Sequence, residues 1–181
     1  DSLYPRTGVS NDAWEDALSR ARIEIGQRTM LEASNDFMPP VDLSDSRGGR
    51  TALNSLLGED ATVLVFWSSY CSFSHRAMPD ITALAMQLGK EGVPVLAVTH
   101  DPAEEAERYL TDNGWDLHVH YDESREVARA VGNWATPQYF VLDGNGKIRF
   151  AFTSLADIPR QIAGVILESC GSAVEGMKKA A

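Results

Sequence analysis

The residues most able to do chemistry stand together in FWSSYCSFSHRAMPD, positions 66–80: Cys71, Ser74 three places on, His75 and Arg76 beside it, and Pro79 beyond. A cysteine acts through its thiolate, so a working site has to lower the thiol pKa. A helix opening at Cys71 would turn unpaired N–H groups and the positive end of its dipole toward the sulfur. Ser74 Oγ could donate to a thiolate, and His75 and Arg76 would add positive charge nearby. Two cysteines at this spacing would form a redox pair, but the second position is a serine. Cys71 can therefore attack a disulfide, with no neighbouring sulfur poised to release the product. The plain alternative is a small buried hydrophobe.

The surrounding pattern supplies elements that would hold such a sulfur. ATVLVFW, 61–67, is a continuous apolar and β-branched run, as expected of a strand covered on both faces. A helix from about Cys71 to Lys90 follows, with Ala77, Met78, Ile81, Leu84, Ala85 and Leu88 as its buried stripe and a kink expected at Pro79. VPVLAV, 93–98, is the next buried strand. Asp101 should then cap a helix running to Asn113, with Pro102 in its first turn and Glu104 completing a capping box. DLHVHY, 116–121, alternates as a strand does, and Ser124 to Val131 makes a short helix stopped by Gly132. Gln138–Leu142 and Ile148–Thr153 flank DGNG, a strong hairpin signal, and Ile158, Ile162, Val165 and Ile166 mark a last helix. Upstream, a small hairpin around Arg47 to Gly49 and a helical turn at Leu53 to Leu57 precede the first central strand. The order is β, α, β, α, β, α, β, β, α: crossovers first, an antiparallel hairpin last.

Before this body, residues 1–37 read as a helical extension and linker, with Asp12 and Glu15 as a capping pair and Trp14, Leu18, Ala21 and Ile25 in one stripe. The body spans 38–169, and 170–181 form a tail that starts at Cys170, the second of two cysteines. Two cysteines in 181 residues argue for separate thiols over a disulfide-held scaffold. A formal net charge of −10, without a basic run, argues against nucleic acid or an anionic membrane surface as the main partner. The longest apolar runs are far too short to span a bilayer. The start at Asp1 is compatible with a leader or membrane anchor removed upstream.

In this order, FWSSYCSFSHRAMP after the first central strand and WATPQYFVLDGNGKI before the hairpin resemble the thioredoxin superfamily. The likeness is closer to the TlpA-like thiol-disulfide oxidoreductases, including those serving cytochrome c maturation. It covers about 38–168, and MPPVDLSDSRGGRTALNSLLGEDATVLVFW is similar to that subfamily's opening. The resemblance implies an α/β thioredoxin-like fold with a central mixed sheet flanked by helices. It also implies Cys71 as the attacking cysteine, Ser74 at the resolving position, Pro79 as the helix proline, and a cis bond before Pro137. Thr136 and Pro137 would then offer a backbone edge to an extended client, with Tyr70, Phe73 and Trp134 as apolar walls. The implied function is thiol-disulfide exchange on protein clients in a periplasmic or other extracytoplasmic compartment, with a membrane-bound recycling partner and no cofactor.

Three positions depart from the family pattern. Tyr70 stands where Trp is usual, Val65 where thioredoxins keep a buried acid, and Ser74 where the second cysteine belongs. Ser74 marks either an engineered trap of a dithiol enzyme or a natural monothiol, working through glutathione, a retained client or Cys170. Other readings stay open. A copper chaperone of related fold would use Cys71 and His75 on one helix face, with His118 and His120 from one strand. Peroxide reduction would want Pro and Thr where Leu64 and Ser68 stand. A non-catalytic module would bind clients through the groove alone.

Overall fold

The computed structural model describes residues 37–38, 40–133, 135–152, 158–159 and 161–166. The expected N-terminal helix, Trp134 and Cys170 lie outside these. Seven strands form one mixed sheet: β1 (Asp42–Ser44), β2 (Arg50–Ala52), β3 (Ala61–Phe66), β4 (Val95–Thr99), β5 (Val119–Tyr121), β6 (Gln138–Asp143) and β7 (Ile148–Phe152). Their spatial order is β2-β1-β5-β4-β3-β6-β7. The β3–β4 and β4–β5 pairs are parallel, while β3–β6 and β6–β7 are antiparallel. Crossovers therefore come first and the hairpin last, as the sequence pattern requires.

Every residue of β3 is buried, because the sheet is covered on both faces. Val63, Val65 and Trp67 pack with Met78, Ile81, Ile158, Ile162 and Val165 on one side. Leu64 and Phe66 pack with Leu43, Leu53, Val127, Val131 and Phe140 on the other. Val65 thus adds apolar volume to this core. Among the described residues the sheet is flanked by helices α1 (Ser72–Lys90), α2 (Ala103–Asp112) and α3 (Glu126–Ala130). Further helical residues follow at 158–159 and 161–166. Helix α1 runs unbroken through Pro79. A short 3-10 turn, Leu53–Leu56, replaces the expected turn to Leu57 and buries Leu53.

The hairpin at 45–49 closes as expected, with the Asp45 carboxylate accepting from the Arg47 and Gly49 N–H groups. The DGNG turn is closed likewise by Asp143 Oδ1, which accepts from Asn145 and Lys147. Met38 N donates to Gly146 O at 2.8 Å and Phe37 bridges to Lys147, so the start of the body is tied to this turn.

Three expectations need correction. The capping box of α2 does not form: Pro102 is the cap residue, no side chain caps the helix, and the helix begins at Ala103. The Asp101 carboxylate instead faces the loop after β3, where several donors compete for it. The strand expected over 116–121 is only Val119–Tyr121, all buried, because pairing with β4 and β1 begins there. Helix α3 is shorter than expected, opening at Glu126 where the Asp122 carboxylate accepts from Val127 and Ala128.

Candidate active site

Cys71 is the cap residue of α1, at the end of the loop that leaves β3. Its backbone carbonyl accepts from His75 N at 3.0 Å, and its side chain is half-buried. Sγ lies 3.0 Å from the Thr136 carbonyl oxygen, to which the thiol donates. The Thr136–Pro137 bond is cis. Cys71 and Thr136, 65 positions apart, thus meet where β3 ends and β6 begins, strands that pair along their whole length.

Burial pushes the Cys71 thiol up, yet the net effect is downward. Hydrogen bonds from the Thr136 side chain, from the Ser74 and Phe73 backbone N–H groups, and from the Ser74 hydroxyl outweigh it. The orphan donors of the first helical turn therefore act as expected. The expected contribution of His75 and Arg76 does not: neither is among the causes of the shift. The His75 ring stacks on Tyr109 at 4.7 Å and its Nε2 meets the Ser69 carbonyl. The Arg76 guanidinium sits over the Phe73 ring, 4.7 Å from its centre. Ser74 is fully buried, and its Oγ accepts from Ser68 N at 3.3 Å. That leaves its hydroxyl proton free to serve the sulfur.

Tyr70 and Phe73 flank the sulfur with 68% and 65% of their surfaces exposed, large for aromatic side chains of a folded body. Trp134, the third expected wall, lies outside the described residues. Two residues that pattern reading did not assign to the site shape it. Asn133 donates from Nδ2 to Ala135 O and to Gln138 Oε1, both at 2.9 Å, and so ties the loop that carries Thr136 and Pro137. Asp101, buried, holds the loop ahead of Cys71. An Asp at the end of a strand reads equally as a cap, and only the fold brings it beside a loop 32 positions earlier.

The metal reading fares less well. His75 is turned to Tyr109 and Ser69, away from a face shared with Cys71. The His118 and His120 rings do come together, 4.8 Å apart and nearly perpendicular. Among the described residues, however, no three His, Cys, Asp or Glu side chains stand close enough to hold an ion. Nor is any helix among them long and apolar enough to cross a membrane.

Residues 34–151 match the AhpC/TSA family. The thiol-disulfide oxidoreductase ResA of Geobacillus thermodenitrificans is 30% identical over 116 residues, 64% of this chain and 66% of that protein. A thioredoxin-like protein of Haemophilus influenzae is 31% identical over 64% of this chain and 67% of its own length. The chain thus spans about two thirds of the length of these relatives. The solution structure of a thioredoxin-like protein from Porphyromonas gingivalis superposes with a TM-score of 0.59 at 25% identity, covering 72% of this chain and 92% of that one.

Proposed function

Because the chain belongs to the AhpC/TSA family, with the thioredoxin-like fold of its structural neighbours, we propose that it carries out thiol-disulfide exchange on protein clients with Cys71 as the attacking sulfur. The observation that carries this reading is the placement of Cys71 at the opening of α1, its sulfur 3.0 Å from the Thr136 carbonyl and its pKa lowered by converging donors. The thiolate attacks one sulfur of a client disulfide. A new S–S bond forms to Cys71, the client S–S bond breaks, and the departing sulfur leaves as a thiolate that takes its proton from water.

Pro137 and Thr136 are the client edge in this reading, where an extended chain adds by backbone pairing. Tyr70 and Phe73 wall the groove in this reading. Ser74 holds the resolving position and carries no second sulfur, so the mixed disulfide persists until an outside thiol attacks it. Ser74 stands either for a replaced cysteine or for a native monothiol; in both cases Ser74→Cys supplies the missing resolving step. An extracytoplasmic site of action and a membrane-bound partner that recycles the sulfur complete this reading. The body at 38–169 carries the activity, with 1–37 and 170–181 as appendages.

The test is incubation with a disulfide-bonded peptide followed by intact-mass measurement. The wild-type chain and Cys170→Ala should each gain one half-peptide, and Cys71→Ala none. Loss of the adduct in Cys170→Ala alone would move the site to the tail and defeat the proposal. If client binding persists after alkylation of Cys71, the groove serves as a binding module and the exchange reading fails.

A further inference from the structure

The loop between β3 and α1 is held by one buried carboxylate from a different strand. Asp101, 2% exposed, follows β4. Its Oδ1 accepts from Ser68 Oγ at 2.9 Å, and its Oδ2 accepts from Ser69 N and, at 2.8 Å, from Ser69 Oγ. Ser68 is itself buried, and its hydroxyl oxygen accepts from Tyr70 N at 3.2 Å. Ser68 N donates to Ser74 Oγ at 3.3 Å. The three residues ahead of Cys71 are thus pinned to the sheet through one side chain, and the pinned loop touches the serine that faces the sulfur.

Charge-assisted bonds of this kind are among the strongest a protein makes, and a buried carboxylate without such donors would be costly. Capping of α2 would satisfy only part of the carboxylate, yet the helix is left without a side-chain cap. The local rule gives way where the site needs order.

We propose that Asp101 is a positioning residue of this site: by clamping Ser68 and Ser69 it fixes Ser74 and keeps the N–H groups opening α1 aimed at the Cys71 sulfur. It touches no reacting atom. The proposal rests on Cys71 being the reactive sulfur, and it makes a signed prediction. If Asp101 acted only through its field, removing its charge would favour the thiolate and move the Cys71 midpoint down. If it acts by holding the loop, weakening it loosens the donors and moves the midpoint up.

Two imidazoles lie near this loop, His75 on the Ser69 carbonyl and His100 next to Asp101 in sequence. The readout therefore has to report sulfur alone. With Cys170 changed to Ser in every sample, the iodoacetamide alkylation rate is followed against pH, and circular dichroism confirms the fold. Asp101→Asn should raise the midpoint and slow alkylation at pH 7 by about threefold. Ser68→Ala, which cuts the same link at its other end, should do likewise. The Asp101→Asn/Ser68→Ala pair should change the rate no more than the larger single effect, because both remove one link. A midpoint that stays or falls in folded Asp101→Asn overturns the proposal, as do fully additive effects. Should Asp101→Asn fail to fold, an unmoved midpoint in Ser68→Ala overturns it. Failure of the exchange reading is seen separately, as absence of a client adduct from a Cys71 that alkylates normally.

Discussion

At the residue scale, the site is a sulfur whose acidity is set by hydrogen bonds. Burial opposes ionisation, and donors from Thr136, Ser74 and Phe73 prevail. Ser74→Ala should therefore slow alkylation of Cys71 at pH 7 by about threefold, leaving Ser68 N without its acceptor. Ser74→Cys should behave differently: it should shorten the life of the client adduct from hours to minutes, read by non-reducing electrophoresis over time. Much of this was legible in residue types alone. Cys71 and Ser74 stand at the helix opening that the pattern predicts, and the cis bond before Pro137 follows the family resemblance. His75 and Arg76 misled, because side chains one turn along a helix can face a neighbour. Here Tyr109 and Phe73 take them.

At the element scale, long periodic segments were readable and their ends were not. The continuous apolar, β-branched run of β3 suits a strand buried on both faces, and it is one. The end of β4 was misread because Asp followed by Pro favours a helix cap by local rules, while the winning partners come from a loop far back in sequence. Strand β5 shows the same limit. The alternation of DLHVHY suggests one wet face, yet His120 is buried. Burial, reinforced by His118, lowers His120 from 6.5 to about 4. The unfolded chain binds this proton once the pH drops below about 6.5, and the folded chain resists it until about 4. Stability should be unaffected above that window, fall by roughly 2 kcal/mol through it, and level off below it. Urea unfolding from pH 7 to 4 checks this, and His120→Gln should flatten the decline.

At the scale of the whole molecule, a chain of net charge −10 presents two largely exposed aromatic side chains, Tyr70 and Phe73, beside the Cys71 sulfur. Clients that are apolar near their disulfide and basic elsewhere should suit it best. Adduct formation with a Lys-rich disulfide peptide should exceed that with an acidic peptide severalfold at low salt, and the two rates should converge at high salt. Tyr70→Ser with Phe73→Ser should slow adduct formation with an apolar client about tenfold while leaving alkylation by iodoacetamide in place. The hydrogen bond from the Cys71 thiol to the Thr136 carbonyl has a further bearing on such encounters. Once the sulfur loses its proton it also loses its donor, and two electron-rich atoms face each other at 3.0 Å. A client whose backbone N–H pairs with that oxygen draws its charge away and eases the repulsion. Docking and ionisation then favour each other by the same factor in either direction.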